Sequence, residues 1–187
     1  MRKGLAAIAV LSSLALAGCA GGGSESAPAQ QPGPPPAPAG PVRNAPAKSV
    51  DLADKCSILK PEQLKQLGLD QPPRPFDMTG QGVPGCRYQS AKPVGEGGSA
   101  VNVGLNPNQT TAQFQASAPG RKKQLTVAGY PAVDSVPVRI NCIVSVDVSD
   151  RGSLTAVSQV SPGGQMADPC QIANQAAEAA VQNLPNA

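Results

Sequence analysis

Histidine and tryptophan are absent from the 187 residues, and only four aromatic side chains occur, Phe76, Tyr88, Phe114 and Tyr130. Without histidine there is no imidazole general base, no Ser-His-Asp triad and no His metal ligand. So few aromatics leave base-stacking platforms and sugar-binding shelves poorly supplied. No Cys-x-x-Cys spacing occurs, so zinc and thiol redox chemistry lack their usual motif. No glycine-rich phosphate loop follows a strand pattern; Gly95, Gly97 and Gly98 read as a hairpin turn. No metal and no cofactor is therefore expected. Charge is also in short supply. Of the 15 Lys and Arg, Arg2, Lys3, Arg43 and Lys48 precede residue 50, and of the 12 Asp and Glu, Glu25 does, so residues 50–187 hold 11 of each sign. A neutral domain lacks the positive footprint that nucleic acid requires, and it has no strong electrostatic pull towards anionic lipid.

What is present begins with an export pattern. Arg2 and Lys3 precede an apolar run over residues 5–16, too short to cross a bilayer, which takes ~20 residues. The run ends in Leu16-Ala17-Gly18-Cys19, which resembles the lipobox of bacterial lipoproteins. That resemblance implies a signal peptide over 1–18, cleavage before Cys19 and acyl chains, of the palmitate class, on the Cys19 sulfur. Each buried CH₂ contributes ~0.8 kcal/mol, and two chains hold where one does not. The expected location is the outer, extracytoplasmic face of the cell membrane. Residues 19–49 then read as the anchored cysteine and a disordered Gly/Ala/Pro-rich tether, with Gly21-Gly22-Gly23 early and Pro34-Pro35-Pro36 later.

Residues 50–187 read as one domain. Its four cysteines, Cys56, Cys86, Cys142 and Cys170, suit a disulfide framework in an exported chain. Three pairings are possible. The favoured one is Cys56–Cys86 with Cys142–Cys170, each joining a helix start to a nearby strand, with a contribution of ~3–4 kcal/mol per bridge.

Pro61 opens a short helix with Leu64 and Leu67 on one face, and Gly68 closes it. Residues 70–85 read as a long loop. Residues 86–89 and 100–105 read as strands, the second with Val101, Val103 and Leu105 inward. Thr110 and Gln113 form a capping-box pattern for a helix ending near Ala118. Residues 124–127 are a strand, and Gly129-Tyr130-Pro131-Ala132 a turn leading to a short extended piece. Ile140, Cys142, Val144, Val146 and Val148 alternate with Asn141, Ile143, Ser145, Asp147 and Ser149, a strand of period two. Asp150-Arg151-Gly152 turns it into a partner over 154–160. Asp168 and Pro169 start the last helix, with an apolar stripe from Ile172 to Leu184 rich in alanine. The expectation is an α+β fold, a mostly antiparallel sheet of about five strands with short helices and a C-terminal helix packed on it.

Taken in order, Asp54-Lys55-Cys56-Ser57-Ile58-Leu59 with Pro61-Glu62-Gln63-Leu64, then Gly85-Cys86-Arg87-Tyr88, Gly129-Tyr130-Pro131-Ala132, residues 142–147 and Asp168-Pro169-Cys170 resemble the actinobacterial envelope lipoproteins grouped as domain of unknown function 3558. Lys60 stands where that family usually has a Thr or Ser cap, and Tyr88 where it commonly has Trp. The resemblance implies a cell-envelope protein and brings no catalytic residues.

One motif points to chemistry. Ser57-Ile58-Leu59-Lys60 matches Ser-x-x-Lys, the nucleophile motif of penicillin-binding proteins, but its companion Ser-Asp-Asn and Lys-Thr-Gly motifs are missing. Arg121-Lys122-Lys123 is the one basic cluster, read as a solvated loop that could touch headgroups or wall polymers. The expectation is a non-catalytic binding or accessory module, not an enzyme, held to the membrane through Cys19. Its partner is an envelope protein or an amphiphilic ligand. A carrier needs an apolar cavity between sheet and last helix; an accessory subunit needs an exposed apolar patch. The alternative is an envelope hydrolase or transferase using Ser57 and Lys60.

Overall fold

The computed structural model describes residues 42–80, 83–162 and 168–187. The residues read as a signal peptide, Cys19 and the segment read as a tether up to residue 41 lie outside the described residues.

Seven strands form one antiparallel sheet: β1 (Arg74–Asp77), β2 (Pro84–Gln89), β3 (Ser99–Asn106), β4 (Arg121–Val127), β5 (Tyr130–Val136), β6 (Asn141–Val146) and β7 (Ser153–Val160). Their order across the sheet is β1-β2-β3-β7-β6-β5-β4. Helices are α1 (Pro61–Gln66), α2 (Thr111–Ser117) and α3 (Pro169–Asn183), with a 3-10 turn at Lys55–Ser57. The single non-local step lies between β3 and β4. There α2 carries the chain to the far edge, and the meander β4 to β7 returns it beside β3.

The α+β class and the C-terminal helix stand, but the sheet has seven strands rather than about five. β1 lies in the segment read as a loop. It is short, largely exposed and contains Pro75, so it has no alternation, and its pairing to the edge of β2 makes it a strand. β5 was obscured by Pro131. The Pro131 carbonyl accepts from Asp147 N on the β6 side, and the β5–β6 ladder begins only at Ala132↔Val146, so the missing N–H costs no ladder bond. β4 begins at Arg121, which places the basic cluster on an edge strand instead of in a loop.

Strand period sorts the side chains onto two faces. Val101, Val103, Leu105, Val144, Val146, Leu154 and Ala156 point to the first face and are fully buried under α3. Ala173, Ala176, Ala177 and Ala180 are all 0 % exposed, so α3 lies close on the sheet and the space between them is filled. Both disulfides staple this face. Cys56–Cys86 ties the 3-10 turn to β2, and Cys142–Cys170 ties β6 to the start of α3, with Cα separations of 4.9 and 5.0 Å. Asp168 caps α3 by accepting from Cys170 N at 2.9 Å.

The packed chain starts before residue 50, the boundary drawn from composition. Residues 42–49 form a strap along one end of the sheet. Lys48 N donates to Val148 O, Ser49 N to Pro185 O, and Ala187 N to Ala47 O. Tyr130 Oη donates to Pro46 O at 2.6 Å, and Arg43 pairs with Asp150. Low apolar content hid this strap, because backbone hydrogen bonds rather than side-chain burial hold it. Among the described residues no helix is long and apolar enough to cross a membrane.

Candidate functional site

The second face of the sheet is mostly polar and only partly covered. α2 lies over β5 and β6, placed by a complete capping box. Gln113 N donates to Thr110 Oγ1 at 3.3 Å, and Thr110 N to Gln113 Oε1 at 2.9 Å. Phe114 and Ala118 pack on Val133 and Ile143, a small second core, and Thr111 and Ser145 join hydroxyls at 3.4 Å.

On the other side of this face stands the β1–β2 hairpin. Asp77 Oδ1 accepts from Thr79 N and Gly80 N at 3.0 and 2.9 Å, and Met78 N donates to Val83 O. The Met78 side chain rests in a hollow made by Gly85 and Gly104, which are cross-strand partners in β2 and β3. A Cβ on Gly104 would collide with Met78 Cγ, and one on Gly85 would stand 2.7 Å from Val103 O.

Between Met78 and α2 lies a cleft of about 280 Å³, floored by Gly104, Thr155, Val157 and Ile143 and walled by Met78, Val83, Phe114, Ala118 and Pro119. Asn106 and Gln109 are the polar groups at its β3 end. No lining residue is titratable. Thus the apolar cavity is not between sheet and last helix, where a carrier was expected to hold one; it is on the opposite face. Nor do the described residues form an accessory-type apolar patch. Among the described residues, the exposed large hydrophobics are Val42 and Val138.

One signal for this cleft was available. Ile143 and Val157 are the apolar members of otherwise polar outward sets, Asn141, Ser145 and Ser153, Thr155, Gln159. The Gly85–Gly104 hollow was not available, since it exists only once β2 and β3 are in register.

Ser57 and Lys60 are both exposed and line one open groove of about 750 Å³ beside α1. The Ser57 hydroxyl has one proton and donates it to Asp54 O at 2.8 Å, not to Lys60. Lys60 sits at the N-cap of α1 and has no side-chain acceptor for the helix. Gln63 compensates, its Oε1 accepting from Lys60 N at 2.9 Å. Tyr88 is buried, and its phenol donates to Cys56 O at 3.2 Å, so it holds the 3-10 turn on the sheet. Burial pushes its pKa up to about 12. Among the described residues no group of three or more His, Cys, Asp or Glu is placed to hold a metal ion.

A meander sheet, one long covering helix and two disulfides define a stapled α+β domain with an apolar cleft on its less covered face. The chain belongs to the family described as protein of unknown function (DUF3558), whose model matches residues 14–183. No curated protein and no solved structure matches it.

Proposed function

We propose that this chain is a lipid-anchored, extracytoplasmic binding module that takes the apolar chain of an envelope amphiphile between Met78 and α2, and that it is not an enzyme. The observation that carries the reading is the cleft of about 280 Å³ with apolar walls and no titratable lining residue. Small-molecule sites start near ~300 Å³, so the cleft suits a segment of acyl chain rather than a whole lipid. Its walls suit that use. Met78 is unbranched and adapts its shape, and Phe114 offers a flat apolar surface. The lipobox resemblance at Cys19 supports anchoring, and two disulfides suit an oxidising compartment. Anchoring would place the module beside a membrane that supplies such amphiphiles.

An aliphatic diazirine amino acid at Val83, on the wall of the cleft, in the full chain and in membranes, tests this. The expected adduct extracts into organic solvent and carries the mass of an amphiphile. A protein adduct moves the partner to the protein class. Labelling no greater than from a probe at exposed Val138 contradicts the reading.

The hydrolase or transferase alternative has one observation in its favour, the groove that Ser57 and Lys60 share. Against it stands the commitment of the Ser57 proton to Asp54 O. The full chain is expected to take no label from a fluorescent penicillin. Label that is lost in Ser57→Ala would establish the enzyme instead.

A further inference from the structure

The basic cluster read from the sequence is divided by the strand on which it lies. In β4, Leu125 and Val127 pack into the core of the first face, so Arg121 and Lys123 point to that side by period two. Lys122 points the other way and donates to Gln115 O on α2 at 2.6 Å. Pairing sets Lys123 opposite Asp134 and Arg121 opposite Val136 in β5. The loop after β5 then adds a cation the sequence had not grouped with them, Arg139. Together with Asp168 these residues line a cleft of about 640 Å³ beside the start of α3. The Cys142–Cys170 bridge fixes that helix start to β6, so the cleft is built on clamped elements.

Charge within the cleft is unbalanced. Arg121, Lys123 and Arg139 face two carboxylates, Asp134 and Asp168. Asp168 is already engaged with Cys170 N. Among the described residues, Arg121, Lys123 and Arg139 close no ion pair, the pair formed being Arg43 with Asp150. Protection of an exposed edge accounts for charges on β4. It does not account for Arg139, which is off the strand.

We propose that Arg121, Lys123 and Arg139 bind the phosphate groups of a polyanionic envelope polymer. Two guanidinium forks and an ammonium match the donor needs of phosphate oxygens. A polymer is the occupant chosen because three cations from two separate elements line one cleft, an arrangement that successive phosphates of one chain can meet together. This inference uses a different surface from the apolar cleft and stands if the amphiphile reading fails; it rests on the extracytoplasmic location proposed above.

The test uses the full chain in nanodiscs of phosphatidylcholine, titrated with inorganic polyphosphate. Binding is expected, weakening as salt rises. Arg121→Gln with Arg139→Gln is expected to weaken it about tenfold or more. Lys65→Gln with Arg74→Gln, which removes the same charge elsewhere, is expected to leave it unchanged. Equal loss in both pairs, or no binding by the wild type, overturns the proposal. Binding to phosphatidylglycerol vesicles that depends on Arg121 and Arg139, without binding to polyphosphate, overturns the polymer assignment and gives the site to headgroups. Both double variants are checked by thermal unfolding. Should the first unfold, shifts of the Asp134 and Cys170 amides of the wild type on adding polyphosphate decide the matter, their absence overturning it.

Discussion

Tyr88 shows how one side chain carries a local structure in a protein with few aromatics. Its ring is buried, and its hydroxyl gives the Cys56 carbonyl a donor at 3.2 Å. Tyr88→Phe keeps the ring and removes the donor, so unfolding free energy in urea is expected to fall by ~1–2 kcal/mol. Asp134 makes the opposite point. Burial raises its pKa, against the pull of Lys123 and Arg121 and with help from Asp168. A carboxyl raised in the folded state favours folding when protonated, and that advantage is lost as pH rises through the folded value. Asp134→Asn is therefore expected to raise the melting temperature at pH 7, with the gain shrinking towards acid pH. A gain that grew on acidification would contradict the assignment. At this scale the sequence was legible where geometry is local. Asp168 caps α3 and the Thr110–Gln113 box forms as read, because both depend on residues three or fewer apart. Ser57 and Lys60 were legible as a motif, but the donation from Ser57 to Asp54 was not.

Among the elements, α3 was the plainest, since its stripe of small residues repeats at helical spacing. Its close approach to the sheet leaves no room for a larger side chain. Ala176→Leu should overpack the interface and lower stability by ~1–3 kcal/mol, as read by denaturant titration. The outer strands were less legible for a physical reason. β1 buries little and β5 carries Pro131, so neither shows the alternation that marked β6 and β7. The strap of residues 42–49 was hidden for a related reason. It is held by hydrogen bonds and an ion pair made by Arg43, Pro46, Ala47, Lys48 and Ser49, with little apolar burial. A full chain in which Tyr130→Phe frees Pro46 is expected to expose the amide of Lys48 to faster hydrogen exchange, while β7 amides keep their rates.

For the whole molecule, the favoured cysteine pairs are those that form, and they tie the 3-10 turn and α3 to the same face of the sheet. That arrangement packs most of the first face under α3 and leaves the second less covered. The consequence could not be read from one sequence. A cleft formed by Met78 over Gly85 and Gly104, opposite Phe114, joins residues from five separate stretches of chain, the β1–β2 hairpin, β3, α2, β6 and β7. The central claim is that this cleft holds an apolar chain. The most direct measurement is mass spectrometry of the full chain released from polymer–lipid discs, wild type beside Thr155→Phe, which fills the floor of the cleft. The account predicts a non-covalent mass on the wild type that organic extraction removes and Thr155→Phe lacks. A bare wild type, or an added mass that Thr155→Phe retains, would contradict it.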